Sequence, residues 1–285
     1  MSALIITITK ALASASRISS VFDIKSSQHF GNEENIGDGE YAVEFSNASL
    51  KYKHAAENSV ESVSFSAKRG DVIGIIGGTG AGKSSLVSMI PRFYDATAGA
   101  IRLFGRDCKE YTKNAIENMI GFVPQGSVLF SGSIRDNMLF GNENASDDEI
   151  YAALAIAQAT SVVDEKGGLD ARVEAGGKNF SGGQRQRLTI ARALVKKPEI
   201  LILDDSASAL DFATDAALRQ AIGKMAGSTT VFIVSQRAAS VMHADTIIVL
   251  DDGNVVGQGK HDVLIDSCPT YREIFDSQFK KEAAR

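Results

Sequence analysis

No run of 18 or more apolar residues occurs in the sequence, so no single hydrophobic stretch is expected to cross a bilayer as a helix. Basic charge is not in excess either: 30 Lys and Arg stand against 35 Asp and Glu, for a net charge of −5. The positive field that nucleic acid demands is missing, and no nucleic-acid partner is expected. Cysteine is scarce. Cys108 and Cys268 lie far apart and make neither a disulfide framework nor a metal-binding pattern, which fits a reducing cytosol. There is no internal repeat. The first residues make a poor signal peptide, because Ser2 to Thr9 is apolar but short and no basic residue precedes it. What remains is an ordinary soluble composition, 44% hydrophobic and 23% charged. The 285 residues suffice for one large or two modest domains.

The most informative stretch is Gly77-Gly78-Thr79-Gly80-Ala81-Gly82-Lys83-Ser84-Ser85. The apolar run Val72 to Ile76 before it reads as a buried strand, and Ser85 to Ile90 after it as the opening of an amphipathic helix. A Gly-rich turn alone would explain the glycines. Strand, loop, Lys and Ser together fit a phosphate-binding loop. Glycines let successive backbone N–H groups curl around an anion, and the helix start adds unpaired donors and partial positive charge. Lys83 is suited to the β- and γ-phosphates, and Ser84 offers a hydroxyl to Mg²⁺.

In chain order, Ala11 to Ile24 carries apolar residues at helical spacing. It is either an exposed helix or the cytosolic end of a longer membrane helix. Residues 25–40 are polar and glycine-containing, and read as a linker. Two strands are expected, Val43 to Tyr52 and Val60 to Ala67, making a small antiparallel sheet beside the nucleotide site. Tyr52, ending the first strand, either packs the sheet or stacks on a purine. A strand follows at Ala100 to Phe104, a helix at Lys113 to Met119, and near-continuous helical periodicity from 133 to about 195. Two more buried strands, Ile200 to Leu203 and Thr230 to Val234, imply a mostly parallel sheet covered on both faces. A hairpin over Ala244 to Asp251 and Asn254 to Val256, turned at Asp252-Gly253, and two short helices over Asp262 to Ser267 and Tyr271 to Phe279 close the chain.

The strand Ile200 to Leu203 ends in Asp204-Asp205, and paired acids at a buried strand end call for a cation. Asp204 is placed to hold Mg²⁺ through water, as a Walker B aspartate does, with Asp205 beside the γ-phosphate. Ser181-Gly182-Gly183-Gln184 opens a second helix with anion-binding character. With these motifs in this order, residues 43 to about 265 resemble the nucleotide-binding domain of an ABC transporter. Gln125 stands at the family's Q-loop, Ser181 to Gln184 at its LSGGQ signature, Ile200 to Asp204 at Walker B, Ser208 to Asp211 at the D-loop, and Tyr52 where the family stacks adenine. Val123 to Asn137 is similar to the exporter branch.

The resemblance implies an α/β, RecA-like P-loop NTPase core with an antiparallel β subdomain and a helical signature subdomain at about 126–192. Residues 41–285 would form this domain, and residues 1–24 the end of a transmembrane-domain helix. It further implies a head-to-tail dimer at the cytoplasmic face of the cell membrane, with ATP and Mg²⁺ sandwiched between one chain's phosphate loop and the other's signature. Gln125 would touch Mg²⁺ and the attacking water, and the segment after it would receive the coupling helices of a transmembrane domain.

The chain departs from the family's pattern at two catalytic positions. Asp205 stands where the family has Glu, and one methylene moves the carboxylate back by roughly 1–1.5 Å. Misplacement on that scale costs about 10²-fold in rate. Gln236 replaces the switch-loop His, so a hydrogen bond remains but no positive charge or proton relay. Val173-Glu174-Ala175-Gly176-Gly177 also departs from the Val-Gly-Glu-Arg-Gly-like loop of exporters. Tolerated drift would explain each change singly. Together they resemble the slow, degenerate site of heterodimeric multidrug exporters, in which an intact signature completes the partner's site. The alternatives are an energising exporter subunit, a mainly regulatory nucleotide-binding module, and, more distantly, a soluble ABC protein of translation or repair.

Overall fold

The computed structural model describes residues 2–23, 28–206, 209–225 and 227–282. The chain opens with helix α1 (Ser2–Phe22), none of whose residues is buried. This helix corrects the expectation that nothing here is long enough to cross a bilayer. Lys10, Arg17 and several hydroxyl residues interrupt the apolar runs, yet the 21-residue helix, with mean hydropathy 1.2, passes by length and composition. Its hydroxyls are partly satisfied from within: Thr7 and Thr9 donate to the carbonyls of Ala3 and Ile5 at 2.9 and 2.8 Å. Ile24, expected in the same helix, lies outside the described residues.

Residues 28–40, read as a linker, are pinned. Gly31 and Glu33 donate backbone hydrogen bonds to Tyr111 and Glu110 at 3.1 and 3.0 Å. The Arg92 guanidinium lies over the Phe30 ring, 4.5 Å from its centre.

Strands β1 (Tyr41–Leu50) and β2 (Val60–Lys68) pair antiparallel and lead to β3 (Val72–Gly77), the phosphate loop and helix α2 (Lys83–Ser88). β4 (Ala98–Leu103) and β5 (Arg106–Asp107) complete a four-stranded antiparallel sheet in the order β2-β1-β4-β5. β1 stops at Leu50, not at Tyr52, because the Leu50 carbonyl accepts from Ser59 N–H at 2.8 Å and Tyr52 starts a turn to Ala55.

Helix α3 (Lys113–Met119) precedes β6 (Ile120–Val123). The helical subdomain then holds β7 (Gly132–Ser133), α4 (Ile134–Leu139), α5 (Asp147–Ile156), α6 (Thr160–Lys166), β8 (Arg172–Val173) and α7 (Gly182–Val195). The periodicity across 133–195 is broken where the backbone turns left-handed. Gly167 and Gly168 have φ of 96° and 104°, and the β7–β8 ribbon stands across from them in the chain. β9 (Ile200–Asp204), α8 (Phe212–Gly223), β10 (Thr230–Ser235), α9 (Ala238–Val241), β11 (Thr246–Asp251), β12 (Asn254–Gly259), α10 (His261–Ser267) and α11 (Pro269–Glu282) follow.

The central six-stranded sheet runs β12-β11-β3-β10-β9-β6, parallel except at the β12 edge. Every residue of β9 and β10 is buried, as continuous apolar strands predict. Alternate residues serve opposite faces. Ile202 and Phe232 join the core shared with β1, β2 and α2, while Leu203 and Val231 join the core under α7, α8 and α10. Because β3, β9 and β10 run parallel, their carboxyl ends lie at one edge of the sheet, where ligands of such folds bind.

Candidate nucleotide site

The phosphate loop leaves β3 and enters α2 through two left-handed glycines. Gly80 has φ 83° and Gly82 φ 92°. A Cβ on Gly82 would sit 2.3 Å from the Ser59 carbonyl oxygen, so no other residue fits without moving the backbone that leads into β2. Lys83, 8% exposed, folds its ammonium back onto the loop and donates to the carbonyls of Gly77 and Gly78 at 2.9 and 2.6 Å. Burial lowers its pKa, with Asp205 and Asp204 opposing that shift. An anion in the loop would offer this ammonium its natural partner.

Ser84 donates to the Asp204 carboxylate at 3.0 Å, joining the start of α2 to the end of β9. Asp204 is buried, and burial raises its carboxyl pKa against the opposing Ser84 hydrogen bond. A hydroxyl and a carboxylate side by side make a hard-oxygen donor pair. Among the described residues no cluster of three or more His, Cys, Asp and Glu could hold a metal. The pair therefore fits Mg²⁺ that keeps waters and phosphate oxygens as further ligands, rather than a cation caged by protein alone.

Asp205 follows with φ 47°, a left-handed conformation that Asp tolerates better than most side chains. Its N–H donates to the Val234 carbonyl at 3.0 Å, and its carboxylate accepts from Gln125 Nε2 at 3.0 Å. Gln236 leaves β10 and faces the same cleft. The phosphate loop, Gln125, Asp204, Asp205 and Gln236 thus surround one open cleft of about 520 Å³.

Other expected residues lie apart from it. Tyr52 does not line the cleft. Its hydroxyl donates to Ser85 Oγ at 3.0 Å, and its ring meets Tyr94 edge-on with centres 4.8 Å apart. Ser181 caps α7 in the helical subdomain, in a reciprocal box with Gln184: Gln184 N–H donates to Ser181 Oγ at 3.2 Å and Ser181 N–H to Gln184 Oε1 at 3.0 Å. Gly182 and Gly183 abut Ala209, whose carbonyl oxygen would be 3.1 Å from a Cβ on Gly183. Asp211 caps α8, accepting from Thr214 N–H at 3.0 Å, and this backbone bond holds its carboxyl below the usual range. Signature and D-loop are therefore neighbours, away from the phosphate loop of their own chain. Ser208 lies outside the described residues.

Two supports were not legible beforehand. The Asp252-Gly253 turn, read only as a hairpin, braces the loop: Gly253 N–H donates to the Ala81 carbonyl at 3.3 Å and its carbonyl accepts from Glu61 at 2.9 Å. Ser127, two residues after Gln125, donates to the side chain of buried Gln186 on α7. Only the fold brings these partners together, and the sequence carried no local signal for either.

The family model described as ABC transporter matches residues 60–208. An uncharacterized ABC transporter ATP-binding protein of Mycobacterium tuberculosis is 43% identical over 239 residues, covering 83% of this chain and 41% of that protein. The uncharacterized ABC transporter ATP-binding protein YfiB of Bacillus subtilis is 39% identical over 283 residues, 99% of this chain and 49% of that protein. The chain so spans half or less of the length of these relatives. The solved structure of a bacterial Atm1-family ABC exporter with ATP bound superposes with a TM-score of 0.85 at 31% identity, over 98% of this chain and 49% of that one. On the cleft, the signature and these likenesses together, the chain belongs to the ABC transporter family and carries its ATP-binding domain.

Proposed function

We propose that this chain is the nucleotide-binding part of an ABC exporter half-transporter whose own ATP site is degenerate. The observation that carries the reading is the pair Asp205 and Gln236 facing one cleft with an intact phosphate loop. Gly77 to Ser85 cradle the triphosphate, with Lys83 on its outer oxygens. Ser84, Asp204 and Gln125 would hold Mg²⁺, which when bound would draw off negative charge developing on the phosphates. Asp205 is the group that would orient the attacking water, and Gln236 the one that would contact the γ-phosphate. The exporter likeness supports a head-to-tail dimer in which Ser181, Gly182, Gly183 and Gln184, with Asp211, close over the partner's ATP. Ser181 spends its oxygen on the Gln184 N–H, so its hydroxyl proton stays available to a phosphate.

The partner we propose is a different half-transporter with a competent site. α1 is then the cytosolic end of a transmembrane helix, the domain lies at the cytoplasmic face of the membrane, and the coupling helices of the transmembrane domains dock behind Gln125. The same two residues favour a second reading, a mainly regulatory ATP-binding module whose partner performs hydrolysis. Both are tested on the purified chain with Mg²⁺. Tight ATP binding with negligible turnover at every protein concentration is expected, and turnover rising steeply with concentration would overturn the degenerate site. Asp205→Glu combined with Gln236→His separates the two readings by whether turnover of a mixed dimer rises.

A further inference from the structure

The segment that carries Gln236 is held from outside by side chains far away in sequence. Gln278, near the end of α11, donates from Nε2 to the Gln236 carbonyl at 2.8 Å. Its Oε1 accepts from the Ala238 N–H at 2.9 Å. Only one amide orientation satisfies both bonds, since the flipped amide would set oxygen against the carbonyl and NH₂ against N–H. Ala238 opens α9, and α9 has no cap from its own N-terminal neighbour Arg237. Gln278 supplies that missing cap from another helix. α11 is itself fixed: Phe275 and Phe279 stack with centres 4.3 Å apart, and Phe275 lies 5.1 Å from the His261 ring. On the other side Arg219 of α8 donates to the Ala239 carbonyl and pairs with buried Asp215 at 3.2 Å. The turn between β10 and α9 is thus gripped at three backbone groups.

We infer that Gln278 is a positioning residue for the nucleotide site, holding the backbone of Gln236 so that its side chain meets the outermost phosphate. This rests on the reading of Gln236 given above, and it ties the end of α11 to the site's ability to tell ATP from ADP. Gln278 touches no nucleotide itself and acts only through residues 236–238.

The test uses Gln278→Met, which keeps length and apolar packing but forms neither hydrogen bond. ATP and ADP affinities of the 285-residue chain are measured at equilibrium with Mg²⁺. Amide exchange at Ala238 is followed in parallel, and thermal unfolding confirms the fold. The expected result is ADP affinity unchanged, preference for ATP reduced about fivefold, and Ala238 exchange accelerated about tenfold. In a Gln236→Ala chain the same substitution should cost no further ATP preference, because the two residues act as one unit. Faster Ala238 exchange with ATP preference intact would reduce Gln278 to a structural brace and overturn the inference. An equal loss of preference in the Gln236→Ala chain would overturn it too. A failure of the cleft reading would show itself separately, as an unsubstituted chain that binds neither nucleotide.

Discussion

Replacing Asp205 with Glu sets activity against stability at one residue. The carboxylate of Asp205 now reaches Gln125 Nε2 at 3.0 Å. One more methylene advances it by about 1.5 Å into the cleft. If a shortfall on that scale is what slows hydrolysis, its removal restores up to ~10²-fold in rate, or ~2.7 kcal/mol of barrier. The backbone opposes the change. Asp205 sits at φ 47°, where a short polar side chain is favoured over a longer one. Left-handed strain costs roughly 1–2 kcal/mol for an ordinary residue. In a chain of this size each kcal/mol lowers the melting temperature by about 2–4 °C. The expected signature is therefore opposite in sign: single-turnover ATP hydrolysis rises at least tenfold while Tm falls by a few degrees. Turnover unchanged within about twofold, with MgATP binding intact, would refute the idea that carboxylate reach limits the site. Addition of Gln236→His then reports how much of the remaining deficit lies in the switch position.

Lys83→Met should weaken ATP binding by about 10²-fold, the worth of a charge-assisted hydrogen bond or two, measured by nucleotide titration. Tm of the nucleotide-free chain should hold, because a buried ammonium with lowered pKa is removed. Asp204→Asn should abolish the Mg²⁺ dependence of ATP binding while raising Tm of the nucleotide-free chain. The Asp204 carboxyl is raised in the fold, so its contribution to stability is fully present below the unfolded value of about 3.9 and is lost as pH rises through the folded value. The Tm gap between Asn variant and parent should accordingly be near zero at acid pH and open as pH approaches neutrality. Tyr52→Phe should lose only the Ser85 hydrogen bond and leave ATP affinity within about twofold, whereas Tyr52→Ala should cost about tenfold if the ring stacks on adenine. Equal affinities for the two variants would leave Tyr52 a packing residue.

What was legible in the sequence is what local chemistry dictates. The strand Val72 to Gly77, the glycine loop and the helix at Lys83 could be read because each step has its own residue signature. Ser181 could be read because a cap is a local bond, three residues in span, whereas Asp211 came only from the family resemblance and its capping of α8 was not anticipated. Asp204 followed from a strand that ends in acid. The misses have the opposite character. β1 ends at Leu50 because the chain turns just beyond it, with the Tyr52 carbonyl accepting from Ala55 N–H, a turn that the strand's own residues do not announce. α1 escaped a test for uninterrupted apolar runs because Lys10, Arg17 and hydroxyl residues interrupt them, although Thr7 and Thr9 bond their hydroxyls back to their own helix backbone. The brace from Gly253, the Ser127–Gln186 link and the Gln278 grip join residues separated by tens to more than a hundred positions, and no periodicity encodes them.

The division between these groups says how the domain can act. Most residues that would touch nucleotide sit in short motifs after β3, β6, β9 and β10 and at the starts of α2, α7 and α8. The long-range contacts instead fix those motifs relative to one another. Gly253 holds the phosphate loop from β12's turn, and Gln186 on the signature helix holds the segment just after Gln125. The chain of contacts runs from α7 to a residue two positions from Gln125, and from Gln125 to Asp205 through a side-chain hydrogen bond. Gln186 Nε2 is one of five buried side-chain nitrogen and oxygen atoms without a hydrogen-bond partner among the described residues. A buried donor without a partner costs ~1–3 kcal/mol. The helical subdomain is thus joined to the nucleotide cleft through two linked side-chain hydrogen bonds, Ser127 to Gln186 and Gln125 to Asp205.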